Sequence, residues 1–212
     1  MKKQDVLQIL REVERGSVSA EEAFTRLKLA PFEDIGFAKV DHHREMRQGV
    51  AEVIYGQGKT PEQIAKISET LLHGGDRVAL ITRMSPEAAA YVGEKFPLVY
   101  DPLSKVGRIG DMPEPDGVGT VLVATGGTTD IPVAEEAALT AEALGNRVKR
   151  LYDVGVSGIH RLLDHAEDIM TARVIVAVAG MEGALPSVIG GLAARPVVAV
   201  PPSGGYGAAF GG

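Results

Sequence analysis

The chain has 212 residues, of which 45% are hydrophobic, enough apolar material for one large domain or a small domain joined to a medium one. A formal charge of −6 without any basic cluster makes a nucleic-acid backbone a poor partner, and only 5% aromatic residues argue against base-stacking platforms. There is no cysteine, which excludes disulfides, thiolate metal sites and a thiol nucleophile among these residues.

Taken in chain order, the first elements are helical. Val6, Leu10 and Val13 recur at helical spacing and Gly16 stops the run. Ser19 followed by Glu22 has capping-box spacing ahead of Ala23, Phe24 and Leu27. An extended stretch near 35–40 leads into "DHHREMRQG", and "AEVIYGQGKTPEQIAKISETLLHGG" reads as strand, glycine turn and helix. Thr60 caps that helix, Pro61 opens it, and Ile64, Ile67 and Leu71 form its apolar stripe. "RVALITRM" is a strand and "SPEAAAYVGEKF" a capped helix. The Pro-, Gly- and Asp-rich segment 101–117 reads as a linker between an N-terminal helical and α/β domain, 1–100, and a second domain, 118–212.

The second half is regular. "GTVLVAT", "RVKRLYD", "ARVIVAVA" and "PVVAVP" are short apolar strands separated by helical stretches, which predicts a doubly wound parallel α/β sheet. One intervening helix places Val133, Ala137, Ala141 and Leu144 on one face, and the next does so with Ile159, Leu162, Leu163, Ala166 and Ile169. No apolar run approaches a membrane span, and "MKKQDVLQIL" lacks the long apolar stretch of a signal peptide, so a cytoplasmic location is expected.

Ligands of such sheets collect beyond the carboxyl ends of the strands. The four turns there are rich in glycine and hold Thr128, Thr129, Asp130, Ser157, His160, Arg161, Glu182, Ser187, Ser203 and Tyr206 instead of the lysines and glutamates of a solvated loop. Gly126 and Gly127 allow close backbone approach to a ligand, and a helix opening near Pro132 offers N–H groups to an anion. The alternative is that Thr129 or Asp130 merely caps that helix. His160 and Arg161 fit a solvated helical face equally well. Glu182 is harder to dismiss, because an unpaired carboxylate among small apolar residues is costly. Asp130 and Glu182 fall at neighbouring strand ends, where two carboxyls driven apart in pKa would form a general acid and base. In the N-terminal half, adjacent His42 and His43 on a strand point to opposite faces, against a shared metal. Arg44, Arg47 and Lys59 suit a phosphate or carboxylate, with ordinary surface charge as the alternative.

"VATGGTTDIPVAEEA", "DVGVSGIHRLL", "VAVAGMEGALPSVIGGL" and "DHHREMRQGVAEVIYGQGKTPEQI" together resemble the LarB family, the pyridinium biscarboxylate mononucleotide synthases of nickel-pincer cofactor assembly. The resemblance covers nearly the whole chain. It implies a PurE-like, Rossmann-like three-layer second domain and a homo-oligomer built on it. It also implies carboxylation of the pyridinium ring of nicotinic acid adenine dinucleotide by CO2 or bicarbonate, with phosphoanhydride cleavage releasing AMP. On that basis Glu182 and Asp130 are the candidate catalytic pair, Asp130 alternatively a ligand of magnesium on the phosphates. Gly126, Gly127, Thr128, Thr129, Ser157, His160, Arg161, Gly183, Arg44, Arg47 and Lys59 are the candidate substrate contacts, and no metal held by the protein alone is expected. PurE-type aminoimidazole ribonucleotide carboxylases read Ala-Gly-Gly-Ala-Ala-His-Leu-Pro-Gly where this chain has "AGMEGALPS", so their catalytic histidine falls on Ala184 and the purine activity is the weaker alternative. LarB-type proteins also continue past "GYGAAFGG" to a cysteine thought to add to the ring. The expectation is therefore a C-terminally truncated or divergent second domain, and the remaining alternative is a nucleotide-binding fragment without turnover.

Overall fold

The computed structural model describes residues 3–29, 32–42, 44, 48–181 and 183–202. Helices α1 (Lys3–Glu14) and α2 (Ala20–Leu29) pair at the start of the chain, the second opened by the Ser19 hydroxyl, which accepts the Glu22 N–H at 3.0 Å. A two-stranded antiparallel hairpin follows, β1 (Phe32–Asp34) with β2 (Lys39–Asp41).

The next six elements are β3 (Val53–Tyr55), α3 (Pro61–Gly74), β4 (Ala79–Thr82), α4 (Pro86–Gly93), β5 (Leu98–Asp101) and β6 (Val106–Ile109). Their strands form a mixed sheet in the order β3-β4-β6-β5, with β3 and β4 parallel and the other pairs antiparallel. Thr60 and Gln63 make the reciprocal capping box at the start of α3. Ile64, Ile67 and Leu71 of that helix bury against Ile54, Ile81 and Ile109 of the sheet, with Val92 from α4.

The segment 101–117 is not the plain linker its composition suggests. Residues 106–109 are β6, an inner strand between β4 and β5, and 101–105 is the hairpin turn before it. The Asp101 carboxylate builds that turn, accepting the Ser104 N–H at 2.8 Å and the Ser104 hydroxyl at 2.5 Å. A four-residue strand with glycine in it carries too little periodicity to stand out among turn-forming neighbours.

The second half runs β7 (Thr120–Thr125), a one-turn 3-10 helix (Thr128–Asp130), α5 (Ile131–Ala143), β8 (Arg147–Leu151), a second such turn (Val156–Gly158), α6 (Ile159–Leu163), α7 (Ala166–Thr171), β9 (Val174–Val178), α8 (Ala184–Leu192) and β10 (Val197–Val200). Its four strands are all parallel, in the order β10-β9-β7-β8. Side chains alternate across it. Leu122, Ala124, Ile175 and Ala177 face Leu162, Ile169, Leu185 and Ile189 of α6, α7 and α8, while Val123 and Val178 face Ala134 and Ala138 of α5. Helices thus cover both faces of a doubly wound sheet.

Two helical readings change in detail. The single helix expected through Ile159–Ile169 breaks into α6 and α7, with Leu162 and Ile169 fully buried but Ile159 and Leu163 exposed. On α5, Val133 packs toward the parallel sheet, but the deeply buried residues are Ala134 and Ala138, and Ala137, Ala141 and Leu144 line a shallow groove of about 450 Å³. Alanine on every face of α5 blurs its periodicity, and the reason is architectural. Leu139 and Ala143 pack against Val53, Leu80 and Val106, so α5 lies between the two sheets. Among the described residues no helix is long and apolar enough to cross a membrane.

Candidate active site

The order β10-β9-β7-β8 places the topological switch between β7 and β9, whose following helices, α5 and α8, leave on opposite faces. A crevice opens between the carboxyl ends of such strands, and ligands of this fold class bind there. β7 and β9 end level, Thr125 opposite Val178, and the ladder runs on through the Gly126 N–H to the Val178 carbonyl at 2.9 Å. The turn 126–130 therefore lies against Ala179, the first residue beyond β9.

Asp130 is only 7% exposed. Its Oδ2 accepts the Gly127 N–H at 2.9 Å, and its own N–H donates to the Gly127 carbonyl at 3.2 Å. It makes no side-chain cap on α5; its carboxylate turns back to accept the N–H of Gly127, which opens the one-turn 3-10 helix ahead of α5. Space at residue 126 is tight. A Cβ there would lie 3.3 Å from both the Ala179 Cβ and Asp130 Oδ2. Thr128 and Thr129 are exposed at the head of the turn. Glu182 lies outside the described residues, as do His43, Arg47, Ser203 and Tyr206. Its neighbours Met181 and Gly183 both adopt left-handed backbone, φ 52° and 63°, and the Gly183 N–H closes the turn on the Gly180 carbonyl at 3.0 Å. Ala184 is the first residue of α8.

The turn after β8 meets the same crevice. A Cβ on Gly155 would come within 2.6 Å of the Gly126 carbonyl oxygen, so the two turns touch because residue 155 is glycine. Arg161 reaches over this turn from α6, its Nη1 donating to Asp153 Oδ2 at 2.8 Å. Ser157 and His160 are exposed nearby in the chain. Asp153 was invisible to sequence reasoning as a site residue. The signal for it was a carboxylate directly after a strand, one position before the stretch "VGVSGIHR".

The remaining candidates divide between the two ends of α5. Thr82, at the carboxyl end of β4, lines the shallow groove with Val133, Glu136 and Val200, whereas Val78 and Leu80 line a cavity of about 590 Å³ with Ala143, Leu144 and Gly145. β3, β4 and β5, but not the antiparallel β6, thus end on the side of the glycine turns. Lys59, in the turn after β3, belongs to that side, and its Nζ donates to the Tyr55 carbonyl at 2.7 Å. Arg44 belongs to the other. Its Nε donates to Gln48 at 3.1 Å, next to Gly49 in the lining of the cavity. That is the far end of a 13-residue helix from Asp130, about 20 Å away. Within one chain Arg44 and the glycine turns do not meet. His42 Nε2 lies 3.1 Å from Glu33 Oε2. Among the described residues no group of three or more His, Cys, Asp or Glu could hold a metal ion.

Two further features had no sequence signal beyond residue type. Arg83, in left-handed backbone at φ 53°, makes both contacts of its Nε to the Glu136 carboxylate, 2.8 and 2.7 Å, tying the end of β4 to α5. On the outer strand β8, Arg150 binds Glu135 and Glu142, and the Tyr152 hydroxyl donates to Glu135 at 2.7 Å. Burial first, and the Glu135 carboxylate second, push the Tyr152 phenol above its ordinary range.

Comparison with known proteins bears on both halves. Residues 32–111 match the model of the LarB/PurE-like N-terminal domain, and residues 120–209 match that of AIR carboxylase. The chain is 36% identical over 208 residues to an uncharacterized protein of Methanocaldococcus jannaschii, MJ0165, covering 94% of this chain and 81% of that protein. A PurE-like, Rossmann-like carboxylase fold with its glycine turns at the switch point, preceded by that N-terminal domain, makes this chain a member of the LarB family, whose function is of carboxylase type.

Proposed function

We propose that the chain carboxylates the pyridinium ring of nicotinic acid adenine dinucleotide and hydrolyses its phosphoanhydride, releasing AMP, as a step of nickel-pincer cofactor assembly. The observation that carries this over the purine-carboxylase alternative is Ala184 at the head of α8, where PurE-type enzymes carry their catalytic histidine. With a methyl group there, proton shuttling falls to carboxylates. Asp130 sits buried at the switch point, and Glu182 follows the neighbouring strand β9.

In this reading the ring is already cationic. A nucleophile adding to it makes the ring carbon electron-rich enough to attack CO2. Glu182 then takes the ring proton, and departure of the nucleophile restores aromaticity, for a net exchange of ring C–H for ring C–carboxylate. The sequence contains no cysteine, so the nucleophile is not a thiol of these residues. Thr128, Thr129 and the glycine turns hold the nucleotide, with Ser157, His160, Arg161 and Gly183 bordering it and Lys59 on the same side. Arg44 would reach a ligand only from another copy in a homo-oligomer. A magnesium ion, which would neutralise phosphate charge, needs one or two protein carboxylates beside the phosphates, and Asp130 can supply one.

The test is mass spectrometry of nicotinic acid adenine dinucleotide incubated with the protein, bicarbonate and magnesium. A ring-carboxylated product with free AMP is expected. Unchanged dinucleotide that nonetheless binds supports the second reading, nucleotide binding without turnover, which the lack of cysteine favours. Conversion of aminoimidazole ribonucleotide instead would return the chain to the purine enzymes.

A further inference from the structure

The Asp153–Arg161 pair is poorly explained as a stability device. The two side chains are 52% and 40% exposed, and ion pairs in such positions contribute little to folding. The local backbone nevertheless pays to make it. Asp153 is held at φ 60°, in the left-handed region. Its N–H donates to the hydroxyl of Thr125 at 2.9 Å, a fully buried residue at the end of β7. The following Val154 N–H goes to the Thr125 carbonyl at 3.0 Å. The Asp153 backbone is thereby anchored to the strand that leads into the Gly126–Asp130 turn.

The arginine is confined from the other side as well. A Cβ on Gly158 would lie 2.8 Å from Arg161 Nε and 3.1 Å from Nη2, and one on Gly155 would lie 3.8 Å from Nη2. The guanidinium rests on a shelf of two glycines, and Gly155 in turn touches the Gly126 carbonyl. Among the described residues Asp153 takes one of its N–H groups, through Nη1. A planar fork of five donors, fixed at one corner and laid beside the crevice, suits an oxyanion.

We propose that Asp153 is a positioning residue. It acts through Arg161, fixing the guanidinium on the Gly155–Gly158 shelf so that its remaining donors receive a phosphate or carboxylate of the ligand. The identity of that ligand rests on the reading given above; the anchoring itself does not. Asp153→Asn is the informative variant, because asparagine tolerates left-handed backbone and removes only the charge.

Binding of nicotinic acid adenine dinucleotide, of inorganic pyrophosphate and of nicotinate is measured by calorimetry for the wild type, Asp153→Asn, Arg161→Ala and the double variant. Loss of about tenfold in affinity is expected for Asp153→Asn with an unchanged unfolding midpoint, and the double variant should bind no more weakly than Arg161→Ala alone. The simple anion that loses affinity in Arg161→Ala identifies which group is held. Wild-type affinity in Asp153→Asn, or losses that multiply in the double variant, overturns the proposal. A wild type that binds a simple anion but not the dinucleotide, with the coupling intact, keeps Asp153's role and rejects the dinucleotide reading. Binding of none of the three probes overturns both.

Discussion

At the scale of single residues, the site depends on carboxylates placed by backbone turns. Removing the Asp130 side chain leaves the Gly127 N–H without its acceptor, so Asp130→Ala should cost about 1–3 kcal/mol in urea unfolding. Asp130→Asn retains an acceptor oxygen. It should change stability far less while lowering carboxylation by about a hundredfold or more, if the carboxylate moves a proton. Tyr152 gives a separate test. Its folded pKa is raised, so the folded state holds the phenolic proton after the unfolded chain has released it. The stability linked to it is complete below the ordinary tyrosine range near pH 10 and declines as pH rises beyond. Stability measured from pH 8 to 11 should fall in the wild type and fall less in Tyr152→Phe.

At the scale of elements, strand and helix positions in the second half were legible because four apolar runs alternate with helices, and the glycine turns followed from the rule of strand ends. The α3 cap was equally legible from Thr60 and Pro61. Thr60→Ala should cost about 1 kcal/mol, read from the thermal midpoint, because the Gln63 N–H loses the Thr60 hydroxyl as its acceptor. What stayed hidden was of two kinds. β6 is four residues long among turn formers, so its partners on both sides, not its own pattern, make it a strand. The ties Arg83–Glu136 and Asp153–Arg161 join residues 53 and 8 positions apart, and nothing in local spacing announces either.

At the scale of the whole molecule, the layers run α3 and α4, mixed sheet, α5, parallel sheet, then α6 to α8. Arg83→Ala removes a charged contact across this stack and leaves Glu136, a largely buried side chain, without its partner. Denaturant unfolding of that variant should begin at lower concentration, and fluorescence and circular dichroism should cease to coincide if the halves then part separately.

The central place of α5 also bears on how such a protein can be divided. By topology the helix belongs to the carboxylase half, yet Leu139 and Ala143 are roofed by the other half's Val53, Leu80 and Val106. A gene fragment starting at Thr120 would encode every strand of the parallel sheet and still expose an oily seam along its first helix. Such a fragment should form soluble material only with detergent, or when the N-terminal half is supplied as a separate chain. The pair is thus two folds sharing one helix, and neither half alone covers both of its sides.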